Sequence, residues 1–252
     1  MNYNKDILCR IYRAAMTIAK EKSAVIYPDS DGKPMSDNTK QFRWIVTIKE
    51  NLEILFDDRS DVFVAGDLLW YPQEGNNQLC QAPDIMVAFG RPKGDRGSYK
   101  QWEEANIAPQ VVFEILSPGN TLKEMAKKLK FYETYGVEEY YIFDPNRIDF
   151  SGWLRREDGT LDVIDRPENW TSPRLGIRFE LKDDNLTIYR PDGERFLTPT
   201  ELSKQVEAER QRAETERQRA ETERQRAETA EARVRELETR LQELEQNRNP
   251  ES

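Results

Sequence analysis

A strand, a helix and a second strand follow one another directly in residues 109–145, PQVVFEILSPGNTLKEMAKKLKFYETYGVEEYYIFDP. The first strand carries Glu114 inside an apolar run, and the second ends in Asp-Pro. A carboxylate in that setting costs free energy to desolvate unless a cation, a proton or hydrogen-bond donors compensate its charge. The unit therefore predicts an α/β domain in which Glu114 has a partner, and a divalent metal ion is one such partner.

A second acidic residue has a similar setting upstream. Asp84 follows Pro83 and opens the apolar run 85–89, which predicts another short buried strand. Asp84 and Glu114 could therefore meet at one sheet. Two carboxylates, with a main-chain carbonyl or a third acid, make the oxygen-rich site that Mg²⁺ or Mn²⁺ prefers. Taken singly, an Asp that starts a strand and a Glu that pairs with a Lys or Arg are ordinary; taken together they favour a metal site.

The helix predicted over residues 122–135 carries Glu124, Lys128 and Tyr132 at i, i+4 and i+8, so they share one face. Lys128 could then point at the sheet edge with the two strand carboxylates. A lysine beside a metal-bound water can position the nucleophile and stabilise charge that develops on a phosphate. The alternative is a surface pair between Glu124 and Lys128, which contributes little to stability.

The remaining elements complete a mixed α/β domain with a central sheet, assigned to residues 1–200. Apolar residues at helical spacing predict a helix over 5–20, and a second helix begins after N-cap candidates at 36–38 and ends near Phe56. Short strands are predicted at 62–64, 68–71, 85–89, 111–116, 140–143, 151–155, 161–164, 177–181 and 186–189.

Composition excludes several classes of protein. The chain has no histidine, so Ser-His-Asp and Cys-His mechanisms and histidine metal sites are excluded. Cys9 and Cys80 are the only cysteines, which gives neither a disulfide framework nor a zinc cluster. With no apolar stretch near 18 residues and no signal-peptide pattern, a cytoplasmic protein without a membrane span is expected.

The net charge of −9 argues weakly against general affinity for nucleic acids. Two local clusters of basic residues are the exceptions, and each is either a nucleic-acid contact or a solvated face. The clusters are Lys123, Lys127, Lys128 and Lys130 on the helix, and Arg91, Lys93, Arg96 and Lys100 in a loop.

Several of these residues form an ordered string of motifs: PD at 83–84, EILS at 114–117, Lys128, Tyr132 and GVEEYYIFDP at 136–145. In that order they resemble the Uma-type restriction endonucleases of the PD-(D/E)XK nuclease superfamily, over roughly residues 35–200. The resemblance implies a restriction-endonuclease-like fold with a four-stranded mixed core sheet flanked by helices.

The resemblance also implies a chemistry. Asp84 and Glu114 would hold Mg²⁺ or Mn²⁺, and the metal would activate water against a phosphodiester. The superfamily pattern puts a lysine two residues after the glutamate, where this chain has Leu116. The Uma-type variant takes its lysine from the following helix, which here is Lys128. The sequence alone permits that geometry without establishing it.

Other residues take supporting parts under the same resemblance. Glu124 occupies a helix position where relatives often carry Asp, so the charge is kept. Glu50 is the candidate for a third metal ligand, with Asp67 as its competitor, and either could equally be a satisfied surface acid. Ser117 and Tyr132 could donate hydrogen bonds to a bound phosphate or carboxylate, although Ser117 before Pro-Gly is also ordinary turn chemistry.

Residues 201–252 form a separate segment whose seven-residue unit, AETERQR, predicts a long charged helix. With Ala213, Ala220 and Ala227 at a positions, the middle d positions are glutamates, and the last three d positions are apolar. The pattern favours a solvated helical spacer that ends, from about Ala227, in a short coiled coil through which the chain could form a homo-oligomer. The alternative is a lone helix without a partner.

The sequence thus predicts a metal-dependent endonuclease that hydrolyses DNA, with Asp84, Glu114 and Lys128 at the catalytic centre. Two alternatives stay open. One is a binding or assembly protein that keeps the nuclease fold without useful catalysis and acts through its coiled coil, as Leu116 and the acidic body suggest. The other is a carboxylate-based hydrolase of a different phosphate ester.

Overall fold

The computed structural model describes residues 25–32, 34–182 and 185–248, and the helix predicted over 5–20 lies outside them. Contacts along the chain divide it into two compact units, Met1–Thr198 and Pro199–Ser252. No helix within the described ranges is long and apolar enough to cross a membrane.

A six-stranded mixed sheet is the centre of the first unit. The strands of the unit run over Val62–Gly66 (β1), Trp70–Tyr71 (β2), Ile85–Phe89 (β3), Tyr99–Lys100 (β4), Val111–Ile115 (β5), Glu139–Asp144 (β6), Asp149–Arg155 (β7), Leu161–Val163 (β8), Arg178–Lys182 (β9) and Asn185–Tyr189 (β10). The central sheet has the order β1-β3-β5-β6-β7-β8. Within this sheet only β5 and β6 pair in parallel, because the helix Leu122–Tyr135 (α2) connects them; the other neighbours in the sheet are antiparallel. Strands β9 and β10 pair with each other, as do β2 and β4.

One face of the sheet packs against helix α1, Thr39–Leu55. The side chain of Asn38 caps this helix by accepting hydrogen bonds from the backbone amides of Lys40 and Gln41. Its buried residues Ile45, Ile48 and Leu52 recur at helical spacing and pack in one core with β5 and the β9–β10 hairpin. Thus α1 shields the face to which Val111, Phe113 and Ile115 point.

The opposite face packs against helix α2, Leu122–Tyr135. Thr121 caps its N-terminus, and Gly136, at φ 99°, ends it in the left-handed conformation that a residue without a Cβ adopts at low cost. Phe131 and Tyr132 are its buried residues and join a second core with Val112 of β5. Because side chains alternate along a strand, Glu114 lies on the same face as Val112, toward α2.

The second unit consists of helix α3, Pro199–Arg248, which spans 50 residues. Its described side chains from Lys204 to Glu245 are exposed, including the apolar Val234, Leu237, Leu241 and Leu244. The long helix predicted from the seven-residue repeat is therefore confirmed.

The predicted mixed α/β architecture is confirmed, and the described helices and strands differ from the predicted bounds by only a few residues. The four-stranded core sheet implied by the family resemblance is too small. Strands β7 and β8 pair onto β6 and extend the sheet to six strands. The parallel β2–β4 pair was not predicted, because two residues are too few to show a period.

Candidate active site

Asp84 and Glu114 come from neighbouring strands and meet at one end of the sheet. Antiparallel pairing sets Ile85 opposite Phe113, so Asp84, just before β3, lies beside the end of β5. Both acids are buried, with Asp84 9% exposed and Glu114 2% exposed. One carboxylate oxygen of Asp84, Oδ2, accepts a hydrogen bond from the Ile115 amide at 2.6 Å, which fixes its carboxylate against the backbone of β5.

Helix α2 supplies both partners of the Glu114 carboxylate. The ammonium of Lys128 donates to Oε2 at 2.7 Å, and the hydroxyl of Tyr132 donates to Oε1 at 2.5 Å. The Lys128 side chain is only 14% exposed, so this is a largely buried ion pair. Lys128 and Tyr132 reach the same carboxylate because a spacing of four residues places them on one face of α2.

The two carboxylates repel one another because both are buried. Burial raises the pKa of Asp84 well above its usual range, and the negative charge of Glu114 raises it further. The amide of Ile115 and the charge of Lys128 act in the opposite direction and do not compensate fully. The structure therefore combines one paired carboxylate with one that favours a proton or an additional cation.

The two α2 side chains keep their protons. Burial alone would lower the pKa of Lys128, but the charge and hydrogen bond of Glu114 outweigh it, and the pKa is raised. Burial and the charge of Glu114 also raise the pKa of the Tyr132 hydroxyl well above its usual range. Both groups are consequently hydrogen-bond donors at neutral pH.

Asp67 belongs to the same electrostatic group. It directly follows β1, has a φ of 49°, and donates its amide to the carbonyls of Pro83 at 3.1 Å and Asp84 at 3.3 Å. Burial raises its pKa, with the charges of Asp31 and Glu114 adding to the effect and that of Lys128 opposing it. Partial burial and coupling to Glu114 and Lys128 set Asp67 apart from an ordinary surface acid.

Glu50 pairs with its neighbour on the same helix. On α1 it accepts from Lys49 at 3.1 Å and lines a cleft of about 710 Å³ that runs along β1. The charges of Glu114, Lys128 and Asp67 all act on the pKa of Asp84. Asp67 is therefore electrostatically coupled to the two strand carboxylates, and the choice between Glu50 and Asp67 as a third metal ligand stays a prediction.

Ser117 and Glu124 occupy supporting positions. The hydroxyl of Ser117 is engaged by the Asp37 carboxylate and by the amide of Gly119, so it stabilises the turn between β5 and α2. Glu124 is exposed in the first turn of α2, and its charge is among those that raise the pKa of Lys128.

Gln41 is a residue of the site that the sequence analysis missed. Its Nε2 donates to the Ile115 carbonyl at 2.8 Å, and its Oε1 accepts from the Asp37 amide at 2.8 Å. It therefore joins α1 to the strand end that carries the site. A single glutamine in a helix gives no signal in the sequence, because only the tertiary arrangement shows what it reaches.

The two basic clusters differ in how far their side chains are already paired within the fold. In the loop, Arg91 and Arg96 both bind Glu104, at 2.8 and 2.6 Å, and Arg96 also lies over the ring of Phe63. On α2, Lys123 and Lys127 are exposed. The loop cluster is thus largely used within the fold, whereas the helix presents positive charge to solvent near Lys128.

The donor set at the site suits a hard divalent cation. Mg²⁺ is often held by only one or two carboxylates, with water completing its coordination. Asp84 and Glu114 retain free lone pairs beyond the bonds they accept, and the raised pKa of Asp84 reflects a shortage of positive charge. In the described ranges no three or more Asp, Glu or Cys side chains are grouped so as to hold an ion on their own.

A family model described as "Uma2: Putative restriction endonuclease" matches residues 31–215. The chain belongs to the Uma2 family. The match includes the whole β1–β10 region and the first part of α3, and it confirms the resemblance inferred from the motif string. Uma2 membership supports a nuclease-type hydrolase as the class of this protein.

Comparison with solved structures gives a more distant similarity. A structure described as "a putative nuclease belonging to DUF820" from Anabaena variabilis is 18% identical, with a TM-score of 0.44. The similarity covers 60% of this Uma2 chain and 83% of the other chain. No protein with a curated description matches significantly.

Proposed function

We propose that this Uma2 protein is an endonuclease of the PD-(D/E)XK type that hydrolyses DNA phosphodiesters with Mg²⁺ or Mn²⁺. The observation that carries the proposal is the meeting of two buried carboxylates, Asp84 and Glu114, with a lysine from the following helix at 2.7 Å. Family membership supports the reaction class, and the acidic pair supports the need for a cation.

Each side chain has a distinct part in the proposed reaction. Asp84 and Glu114 would hold the ion, with water completing its coordination, and the charge of Asp67 would add to the negative potential around them. The ion, when bound, supplies Lewis acidity toward the phosphodiester and its attacking water. Tyr132 holds Glu114 in place, which fixes the carboxylate for binding.

Lys128 would serve in this proposal in place of the strand lysine of the superfamily pattern. An ammonium has three N–H donors, and Glu114 uses one of them here, so two remain for phosphate oxygens or the attacking water. Its raised pKa keeps it positively charged, which suits stabilisation of negative charge rather than proton abstraction. Lys123 and Lys127, exposed on the same helix, would contact the DNA backbone.

The test is cleavage of plasmid and single-stranded DNA and of RNA by the full chain, with Mg²⁺, Mn²⁺ or EDTA. Asp84→Asn, Glu114→Gln and Lys128→Met should each lower metal-dependent cleavage by at least about a hundredfold. Lys127→Ala, an exposed neighbour on the same helix, is the matched control and should lower it severalfold at most. Cleavage that persists in EDTA or in Asp84→Asn would contradict the proposal.

One observation favours a second function, binding or assembly without efficient catalysis. Both oxygens of Glu114 are already engaged, by Lys128 and Tyr132, and the strand position of the superfamily lysine is Leu116. Thermal unfolding with and without divalent cations separates the two functions. If the site binds a catalytic metal ion, Mg²⁺ or Mn²⁺ should raise the thermal stability of the wild type but not that of Asp84→Asn. If the site is purely structural, the ions should raise the stability of neither protein.

A further inference from the structure

Helix α3 carries an unpartnered apolar stripe at its C-terminal end. Val234, Leu237, Leu241 and Leu244 are 54%, 53%, 60% and 63% exposed. They occupy successive a and d positions of the heptad pattern, preceded by Ala227 and Ala230 at a and d. Val234 at a with Leu237 at d is the combination that favours two-stranded parallel coiled coils.

The charges that flank the stripe determine which partner helix can pack against it. The g positions of the last heptads are Arg226, Arg233 and Arg240, and the e positions are Glu231, Glu238 and Glu245. In a parallel pair each g residue faces the e residue of the next heptad on the partner helix. A second copy in register therefore matches every arginine with a glutamate five residues later, on both sides of the seam.

The opposite orientation is disfavoured by the same residues. An antiparallel pair sets g against g and e against e, so arginines would face arginines and glutamates would face glutamates. Like charges at these positions suppress an orientation. The pattern thus carries both an attraction for the parallel dimer and a repulsion against the antiparallel one.

The pattern also sets the N-terminal limit of the pairing. Earlier in α3 the e positions are arginines too, so Arg212 would face Arg217 of a second helix, and Arg219 would face Arg224. The d positions there are glutamates rather than leucines. The change from like to opposite charge occurs between Arg224 and Arg226.

We propose that residues 226–245 form a parallel, in-register homodimer with a second copy of this chain, and that the helices separate before Arg226. Within one chain, Arg233 binds Glu236 at 2.6 Å, a bond that it would exchange for Glu238 of the second copy. The dimer attaches both nuclease domains at the same end of the paired segment.

The experiment measures the oligomeric state of the full chain by light scattering and sedimentation across the micromolar range. The wild type should dimerise, and Arg233→Glu with Arg240→Glu should raise the dissociation constant by at least about tenfold, because four attractive contacts become repulsive. Arg235→Glu changes the charge equally at an outward b position and should leave the constant within about threefold.

A mixing experiment separates loss of pairing from loss of helix. Glu238→Arg with Glu245→Arg should weaken self-association to a similar extent, but mixed with the first double variant it should form a heterodimer, since opposite charges then face each other again. Leu244→Cys, with Cys9 and Cys80 replaced by serine, should form an intermolecular disulfide, because in-register d residues face one another.

Three results would overturn the proposal. A wild-type monomer throughout the concentration range would remove the dimer. A dimer insensitive to both double variants would point to another orientation or to a contact elsewhere in the chain. Failure of Leu244→Cys to crosslink in a dimeric protein would exclude the parallel register.

Discussion

Two buried glutamates on neighbouring strands of one sheet have opposite surroundings. Glu139, at the start of β6, is fully buried and is held by the Tyr141 hydroxyl at 2.9 Å, the Arg174 amide at 2.6 Å and the Ser172 hydroxyl. Glu114, on β5, is held by a cation and a hydroxyl and has a second carboxylate beside it. The first acid joins parts of the fold, and the second concentrates negative charge.

The two sites differ in how far hydrogen-bond donors compensate the buried carboxylates. Burial raises the pKa of Glu139, and its three donors, all neutral, lower it again in part. At the other end of the sheet, the Ile115 amide is the single donor to the Asp84 carboxylate among the described residues, and the charge of Glu114 lies beside it. Burial next to a second negative charge, rather than burial alone, is therefore what singles out Asp84 and Glu114 as the candidate site.

The largest expected loss of stability follows from replacing Glu139, the glutamate that joins parts of the fold. Glu139→Ala removes the acceptor of three donors, so the free energy of unfolding should fall by about 3 to 5 kcal/mol. DNA cleavage per folded molecule should stay close to that of the wild type, because Glu139 lies outside the Asp84 cluster. Denaturant unfolding and cleavage assays check both halves, and Glu139→Gln, which keeps an acceptor, should lose less stability.

A somewhat smaller loss should follow from Lys128→Ala. The change leaves the buried charge of Glu114 without its cation, which should cost about 2 to 4 kcal/mol of the free energy of unfolding. Lys127→Ala, exposed on the same helix, should change it by less than about 0.5 kcal/mol. Equal losses in the two variants would show that the Glu114 pair contributes no more than a surface charge does.

The smallest expected change in the free energy of unfolding is a gain rather than a loss. Asp84→Asn removes one of two repelling charges yet keeps an acceptor for the Ile115 amide, so without metal it should stabilise the protein by about 0.5 to 2 kcal/mol. The matched control, Asp95→Asn, changes an exposed acid of the same type and should have little effect.

The pH dependence of that gain follows from the raised pKa of Asp84 in the folded state. The folded protein binds a proton there that the unfolded chain has already released, so wild-type stability falls as pH rises from the unfolded pKa through the folded one. The advantage of Asp84→Asn should therefore be small in acid and grow with pH until it levels off. An advantage that shrank with rising pH would contradict the assignment.

Sequence reasoning succeeded where a local pattern determines the outcome. The period of the strands, the N-cap at Asn38, the left-handed Gly136 and the spacing of Lys128 and Tyr132 all act over a few residues. The meeting of Asp84 with Glu114 followed from two strands that each carry an acid at an apolar run. The roles of these side chains in catalysis stay predictions.

What the sequence did not indicate depends on contacts between distant parts of the chain. Gln41 reaches Ile115 across 74 positions, and Ser172 reaches Glu139 across 33. The electrostatic coupling of Asp67 to Asp84 and Glu114 also depends on the tertiary arrangement. The choice between Glu50 and Asp67 as a third metal ligand stays a prediction.

The conformation of Asp67 has a consequence for protein engineering. At φ 49° glycine would be the residue with the least backbone strain, and at position 84 asparagine would relieve the charge repulsion. A redesign that selected only for thermal stability would therefore accept both replacements and remove two acids from the electrostatic group around the proposed metal site. Libraries built on this scaffold should hold positions 67 and 84 constant.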